Sequence, residues 1–164
     1  MINRDQIYWF YKNKKTRFVE IDTKFSIKLF TPNLMNLKLH NEKFFLYFFW
    51  YIFTFGRYRI FYIIDDENKS IAHYSIIIPK IFKYSFMKRN DWQIVNVFTY
   101  ELYRRNSLYQ FALANILLEY NSINLWIGTR SDNVAGVKAI EKAGFNKIIE
   151  VKKKGFFGIY KVHE

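Results

Sequence analysis

"YRRNSLYQFALANILLEY", residues 103–120, follows directly on the strand-like run "WQIVNVFTY", residues 92–100. Two arginines, a short polar stretch and a long apolar run are how a chain opens a helix toward an anion. The first-turn amides of a helix lack carbonyl partners, and its dipole favours negative charge there. Leu108, Phe111, Ala112, Ile116 and Glu119 give the segment from about Ser107 to Tyr120 a mostly helical period. "INLWIGT" then reads as a further strand. Strand, helix and strand over 92–128 predict a right-handed parallel unit. Ligands of such sheets gather at the carboxyl ends of the strands, where the helix N-terminus points. The turn around Arg104–Tyr109 is therefore the expected site. Where a tight, backbone-exposing loop would want glycine, however, this chain has Ser107 and Tyr109.

Working outward, "FVEIDTKFSIKLF" (18–30) alternates apolar and polar residues and predicts an early strand, broken by Thr31-Pro32-Asn33. Residues 41–55 read as a helix. "YRIFYII", the turn "DDENKS" and "IAHYSIII", ending at Pro79, make a β-hairpin. "SDNVAGVKAIEKAGF" opens on Ser-Asp-Asn capping residues and closes on Gly144, a helix marked at both ends. "NKIIEVKK" and "GFFGIYKVH" read as closing strands joined near Gly155. The order predicts one domain over 1–164, of α/β (α+β) class, with a mixed sheet and helices on both faces. No internal repeat or low-complexity linker interrupts it.

Composition narrows the function classes. The 164 residues are 51% hydrophobic and 21% aromatic, which excludes a disordered chain. There is no cysteine, hence no disulfide or thiolate chemistry, and with only His40, His73 and His163 no histidine metal cluster is expected. The first residues lack the pattern of a secretory signal, so the cytoplasm is the expected compartment. "FFLYFFWYIFTF" (44–55) is twelve apolar or near-apolar residues followed by Gly56-Arg57-Tyr58-Arg59. A spanning helix needs about 20 apolar residues, so this is read as a core or interface helix and no transmembrane segment is predicted. The formal net charge of +12 favours polyanionic or phosphate-bearing partners, or simply a soluble lysine-rich surface.

The run "IVNVFTYELYRRNSLYQFALANILL" and, further on, "IGTRSDNVAGVKAIEKAGF" together resemble the GNAT (Gcn5-related N-acetyltransferase) superfamily, in the style of its acyltransferases associated with polysaccharide biosynthesis. That family's pyrophosphate loop, Gln/Arg-x-x-Gly-x-Gly/Ala, corresponds to Arg104-x-x-Ser107-x-Tyr109. Its later helix corresponds to Asn133 and Glu141-Lys142-Ala143-Gly144-Phe145. The resemblance implies a mainly antiparallel twisted sheet around the parallel unit, and transfer of an acetyl or similar acyl group from acetyl-CoA or another acyl-CoA to an amine. It implies that backbone groups of Val97, Phe98 and Thr99 hold the pantetheine arm and thioester. The amides of Arg105, Asn106, Ser107, Leu108 and Tyr109, with the Arg104 and Arg105 side chains, would hold the pyrophosphate. Asn133 would contact the coenzyme arm or serve as a plain N-cap. Ser107 can serve there if its φ is negative, and the loss of glycine is expected to weaken or re-pose coenzyme binding without abolishing it.

The catalytic groups are less marked. Where relatives place a tyrosine acid, this chain has Ile140, and where some place a glutamate base it has Gln93. His73 is the candidate base by its near-neutral reference pKa, against a hydrogen-bonded strand histidine, and Tyr74 must face away from it. By analogy the acceptor, an amine such as a nucleotide-linked amino sugar, is expected to meet residues of 25–60 and the 79–91 loop. A non-catalytic acyl-CoA-binding module and a basic nucleic-acid-binding domain are the alternatives. The strongly apolar setting of the aromatics and the lack of a nucleic-acid motif argue against the second. The aromatics also allow a homodimer.

Overall fold

A computed structural model describes residues 7–13, 20–33, 44–81, 84–154 and 159–162. The strands are β1 Ile7–Asn13, β2 Phe25–Phe30, β3 Arg59–Asp65, β4 Ser70–Pro79, β5 Trp92–Thr99, β6 Leu125–Arg130, β7 Phe145–Lys154 and β8 Ile159–Val162. The helices are α1 Phe44–Thr54, α2 Leu108–Glu119 and α3 Val134–Ala143. The strands form one sheet in the order β2-β3-β4-β5-β6-β1-β7-β8. Every pairing is antiparallel except β5 with β6. The expected mixed, mainly antiparallel sheet with a central parallel unit is thus present.

Each face carries its own core. Ile63, Ile77, Ile94 and Ile127 of the sheet pack with Leu113, Ile116 and Ile140 of α2 and α3. On the other face Tyr58, Ile60, Tyr62, Ile76 and Ile78 pack with Tyr47 of α1, whose hydroxyl bonds Tyr62 at 2.8 Å. Helices on both faces are what a sheet of this apolar content requires.

The largest departure from expectation is β1. No strand is predicted at 7–13, yet this segment lies inside the sheet between β6 and β7. Phe10 and Tyr11, consecutive in sequence, are both buried and join cores on opposite faces. A strand covered on both faces shows no apolar–polar alternation, which removes the sequence signal. Asn13 pins its end: the side chain donates to Ile123 O and accepts from Leu125 N.

The first expected strand is shorter than 18–30. Asp22 accepts Lys24 N on its side chain and Phe25 N on its carbonyl, and this turn delays β2 to Phe25. Residues 18–19 lie outside the described residues, as do 41–43 of the expected first helix and the 155–158 connection between the closing strands. Helix α1 ends through left-handed Phe55 and Gly56, with Gly56 N donating to Tyr51 O at 2.8 Å.

Candidate functional site

Strands β5 and β6 pair only at Trp92, Gln93 and Ile94 against Leu125, Trp126 and Ile127. Beyond Ile94 they separate, and a cleft of about 650 Å³ opens between Val95–Thr99 and Gly128–Thr129. A β-bulge supplies the bend. The β4–β5 register shifts between Tyr74 and Ile76, and Asn96 opposite it has φ +47°. Past the bulge β5 keeps its pairing with β4, while its β6-facing edge has no strand partner. Asn96 was not singled out by sequence reasoning. An asparagine inside the apolar run "IVNVF" was the available signal, because asparagine tolerates the left-handed region.

The Arg104–Tyr109 turn closes the wide end of this cleft, so Val97, Phe98, Thr99, Arg104, Arg105, Ser107, Leu108, Tyr109 and Asn133 all line it. Asn106 belongs to the same turn and fixes it, its amide donating to Tyr103 O at 3.3 Å. The turn is anchored from below by Tyr103, whose hydroxyl meets Ser70 Oγ at 2.7 Å, and by buried Leu108. Among the described residues the backbone amides of Arg105 through Gln110 meet no protein acceptor. Arg104 pairs with Glu101 at 3.0 Å at the surface. Arg105 has no acidic partner among the described residues. A run of free amides with an adjacent guanidinium can hold an anion.

The condition of a negative φ at Ser107 is not met: φ is +56° and ψ +11°, and Arg105 is left-handed as well, at φ +70°. The loop keeps a glycine-like backbone while carrying side chains, at a cost of about 1–2 kcal/mol per residue. Ser107 makes no side-chain cap bond that would offset it. Replacing Ser107 with Gly is expected to raise stability by about 0.5 kcal/mol, the relieved strain being partly cancelled by unfolded-state entropy. A β-branched Ser107→Val should cost about 1–3 kcal/mol. Urea unfolding of the two variants checks both signs.

Tyr109 fits for a different reason. Its ring turns into the core and stacks on His73, centroids 6.2 Å apart, so the large side chain leaves the amide uncovered. His73 itself is fully buried, with Nδ1 2.7 Å from Thr99 Oγ1 and Nε2 2.9 Å from Ser75 Oγ. Burial lowers its pKa from 6.5 to about 4. A general base needs a lone pair open to the substrate, and both nitrogens here are engaged. His73 is thus the hydrogen-bonded strand histidine of the alternative reading, linking Thr99 of β5 to Tyr109 at the start of α2. Tyr74 faces the opposite side, in the α1 core. Gln93 is buried below the cleft. Among the described residues the cleft lining contains no carboxylate and no histidine.

Asn133 performs the N-cap role: its Oδ1 accepts Gly136 N at 3.1 Å and its Nδ2 donates to Thr129 Oγ1 at 3.1 Å. Gly144, at φ +108°, ends α3 as expected. A Cβ on Gly136 would stand 2.4 Å from Asn133 Nδ2, so any side chain there displaces the cap. Asn133→Ala and Gly136→Ala should each cost about 1 kcal/mol, and the double variant little more than either one. Additive losses in thermal unfolding would contradict the shared cause.

Lys80 and Arg89, from the loop expected to meet the acceptor, lie at the other end of β5, beside Trp92. Residues 34–43 and 82–83 of the expected acceptor region lie outside the described residues.

No protein-family model and no curated protein matches the sequence. Solved structures do. A GCN5-related N-acetyltransferase from Sphaerobacter thermophilus aligns over 90% of this chain and 50% of its own, with TM-score 0.66 and 8% identity. The tandem GNAT protein from the clavulanic acid biosynthesis pathway aligns over 88% and 51%, with TM-score 0.61 and 10% identity. A GNAT-family acetyltransferase from Colwellia psychrerythraea aligns over 88% and 53%, with TM-score 0.58 and 13% identity. The fold is that of the GNAT structures, and the chain spans about half the length of these three.

Proposed function

We propose that this chain binds an acyl-coenzyme A, acetyl-CoA in the simplest case, in the β5–β6 cleft and transfers the acyl group to an amine. The observation that carries the reading is the splay of two parallel strands ending at a loop of uncommitted amides. A cleft with a bare strand edge suits an extended amide-bearing arm, and the loop suits a pyrophosphate. In this reading Val97, Phe98 and Thr99 hold the pantetheine and thioester. Arg105 through Tyr109 hold the phosphates, with Arg104 and Arg105 adding charge.

The chemistry follows from what lines the cleft. The amine lone pair attacks the thioester carbonyl carbon, the C–S bond breaks, and the amine proton passes to the departing thiolate, giving amide and free thiol. With no carboxylate or free imidazole among the described lining residues, this reading has the reaction depend on positioning and on an amine that arrives neutral. The rate should therefore rise with pH and level off at the acceptor's own pKa. Protonated acceptor predominates below that value and cannot attack. Thiol release measured with two amines of different pKa tests this. The inflection should move with the amine, whereas an inflection fixed by the enzyme would assign a base on the chain.

The acceptor class favoured by the sequence resemblance is an amino sugar, in a single-domain, cytoplasmic acyltransferase. The same bare lining also favours a second reading, a non-catalytic acyl-CoA-binding module. Saturable coenzyme binding with no thiol release across a panel of amines would select it.

A further inference from the structure

A second cleft, of about 750 Å³, lies at the opposite end of β5 from the coenzyme cleft. Arg57, Lys80 and Arg89 line it over an apolar floor that includes Pro79, Trp92 and Ile123. Trp92 opens β5 and Pro79 closes β4, and the two clefts share no lining residue, coming nearest along the strand at Trp92 and Ile94. The two sites are distinct.

Three features make it a prepared site. First, its cations are uncommitted: among the described residues Arg57, Lys80 and Arg89 join no ion pair, and no carboxylate lines the cleft. Second, the nearest acid in sequence, Asp91, is buried and occupied. Its carboxylate accepts Lys88 N, Asn124 Nδ2 and Trp126 Nε1, so it holds the turn that carries Arg89 and does not neutralise it. Third, the walls are tied together. Lys80 N donates to Asp91 O at 2.9 Å, and the Trp92 indole packs on Tyr120 with centroids 6.0 Å apart.

We infer that this cleft binds a phosphate group attached to an apolar or ring-bearing moiety. Three cations lining one cleft, two of them guanidinium forks, match a phosphate, and the adjacent proline and indole match what the phosphate carries. Two sources share that chemistry: a soluble phosphate compound and an anionic phospholipid headgroup. The second is brought into the test by Phe55, which is 87% exposed and stands two residues from Arg57, with Ile52 and Phe53 half-exposed on the end of α1 beside it.

The test uses the full chain carrying Ser107→Glu, which sets a carboxylate against phosphates at the other cleft. In that background the triple variant Arg57→Ser, Lys80→Ser, Arg89→Ser is compared with its parent at about 0.15 M salt, where distant exposed charges are screened. Adenosine monophosphate is titrated calorimetrically. Flotation is run with phosphatidylcholine vesicles with and without phosphatidic acid. Binding of the nucleotide, or of the acidic vesicles alone, that weakens about tenfold or more in the triple variant supports the site. The arm that responds identifies the source. No binding of either probe, or binding that the triple variant leaves unchanged, overturns it. Unchanged circular dichroism qualifies each variant, and the three single substitutions, each with a smaller loss in the same direction, replace the triple should it misfold. Acyl-CoA binding by the wild-type chain is measured separately, so failure here leaves the coenzyme reading standing, and the reverse also holds.

Discussion

On acidification from about pH 7.5 to about pH 4, the wild-type protein should lose roughly 3 kcal/mol more stability than a His73→Gln variant. The cause is burial, which lowers the folded-state pKa of His73 from 6.5 to about 4. Above the unfolded value both states are neutral and the full stability is present. Between the two values the unfolded chain takes up a proton that the folded chain refuses, so stability falls with pH. Below the folded value the loss is complete. The size follows from about 1.4 kcal/mol per pKa unit. Carboxylates elsewhere titrate in both proteins and cancel in the comparison. Urea unfolding at several pH values reads the difference, and equal losses would contradict it. The imidazole NMR titration gives a check free of any variant: no protonation should be seen above about pH 5. The functional corollary is that charging His73 disturbs Thr99 and Tyr109 together, both of which line the cleft proposed to hold the coenzyme.

Much of this arrangement was legible in the sequence, and the gaps have physical causes. Helix α3 could be read end to end because its signals are local: Asn133 caps three residues ahead and Gly144 supplies a left-handed terminus. The β3–β4 hairpin was legible for the same reason, its turn being fixed by Asp65, which accepts from Glu67 N and Asn68 N. Strand β1 was not legible, since its place depends on contacts with β6 and β7 more than a hundred residues away. The loop was found but its backbone was misjudged. A serine in a glycine position leaves the sign of φ open, and the left-handed backbone shows only in the folded loop, anchored through Tyr103 and Leu108. His73 was found for its chemistry, and only burial reveals that both of its nitrogens are engaged. Gly128 was missed altogether. It lines the cleft, and a Cβ there would meet the Phe10 ring at 2.6 Å, a packing partner supplied by the unforeseen β1.

The largest effect is expected at the loop. Ser107 lies at the centre of the free amides, so a glutamate there sets a negative charge against a pyrophosphate held by the proposed loop, at a separation taken as about 5 Å. At an effective dielectric near 20 this repulsion is roughly 3 kcal/mol, on the order of a hundredfold in affinity. Ser107→Gln adds nearly the same volume without charge and should stay within a few-fold of wild type. Calorimetric titration of acetyl-CoA and free CoA into wild type, Ser107→Gln and Ser107→Glu is therefore the most direct test of the central claim. Saturable binding to the first two, lost in the third, is the predicted result. No binding to folded wild type, or binding that Ser107→Glu leaves unchanged, would contradict the assignment of this loop to coenzyme A.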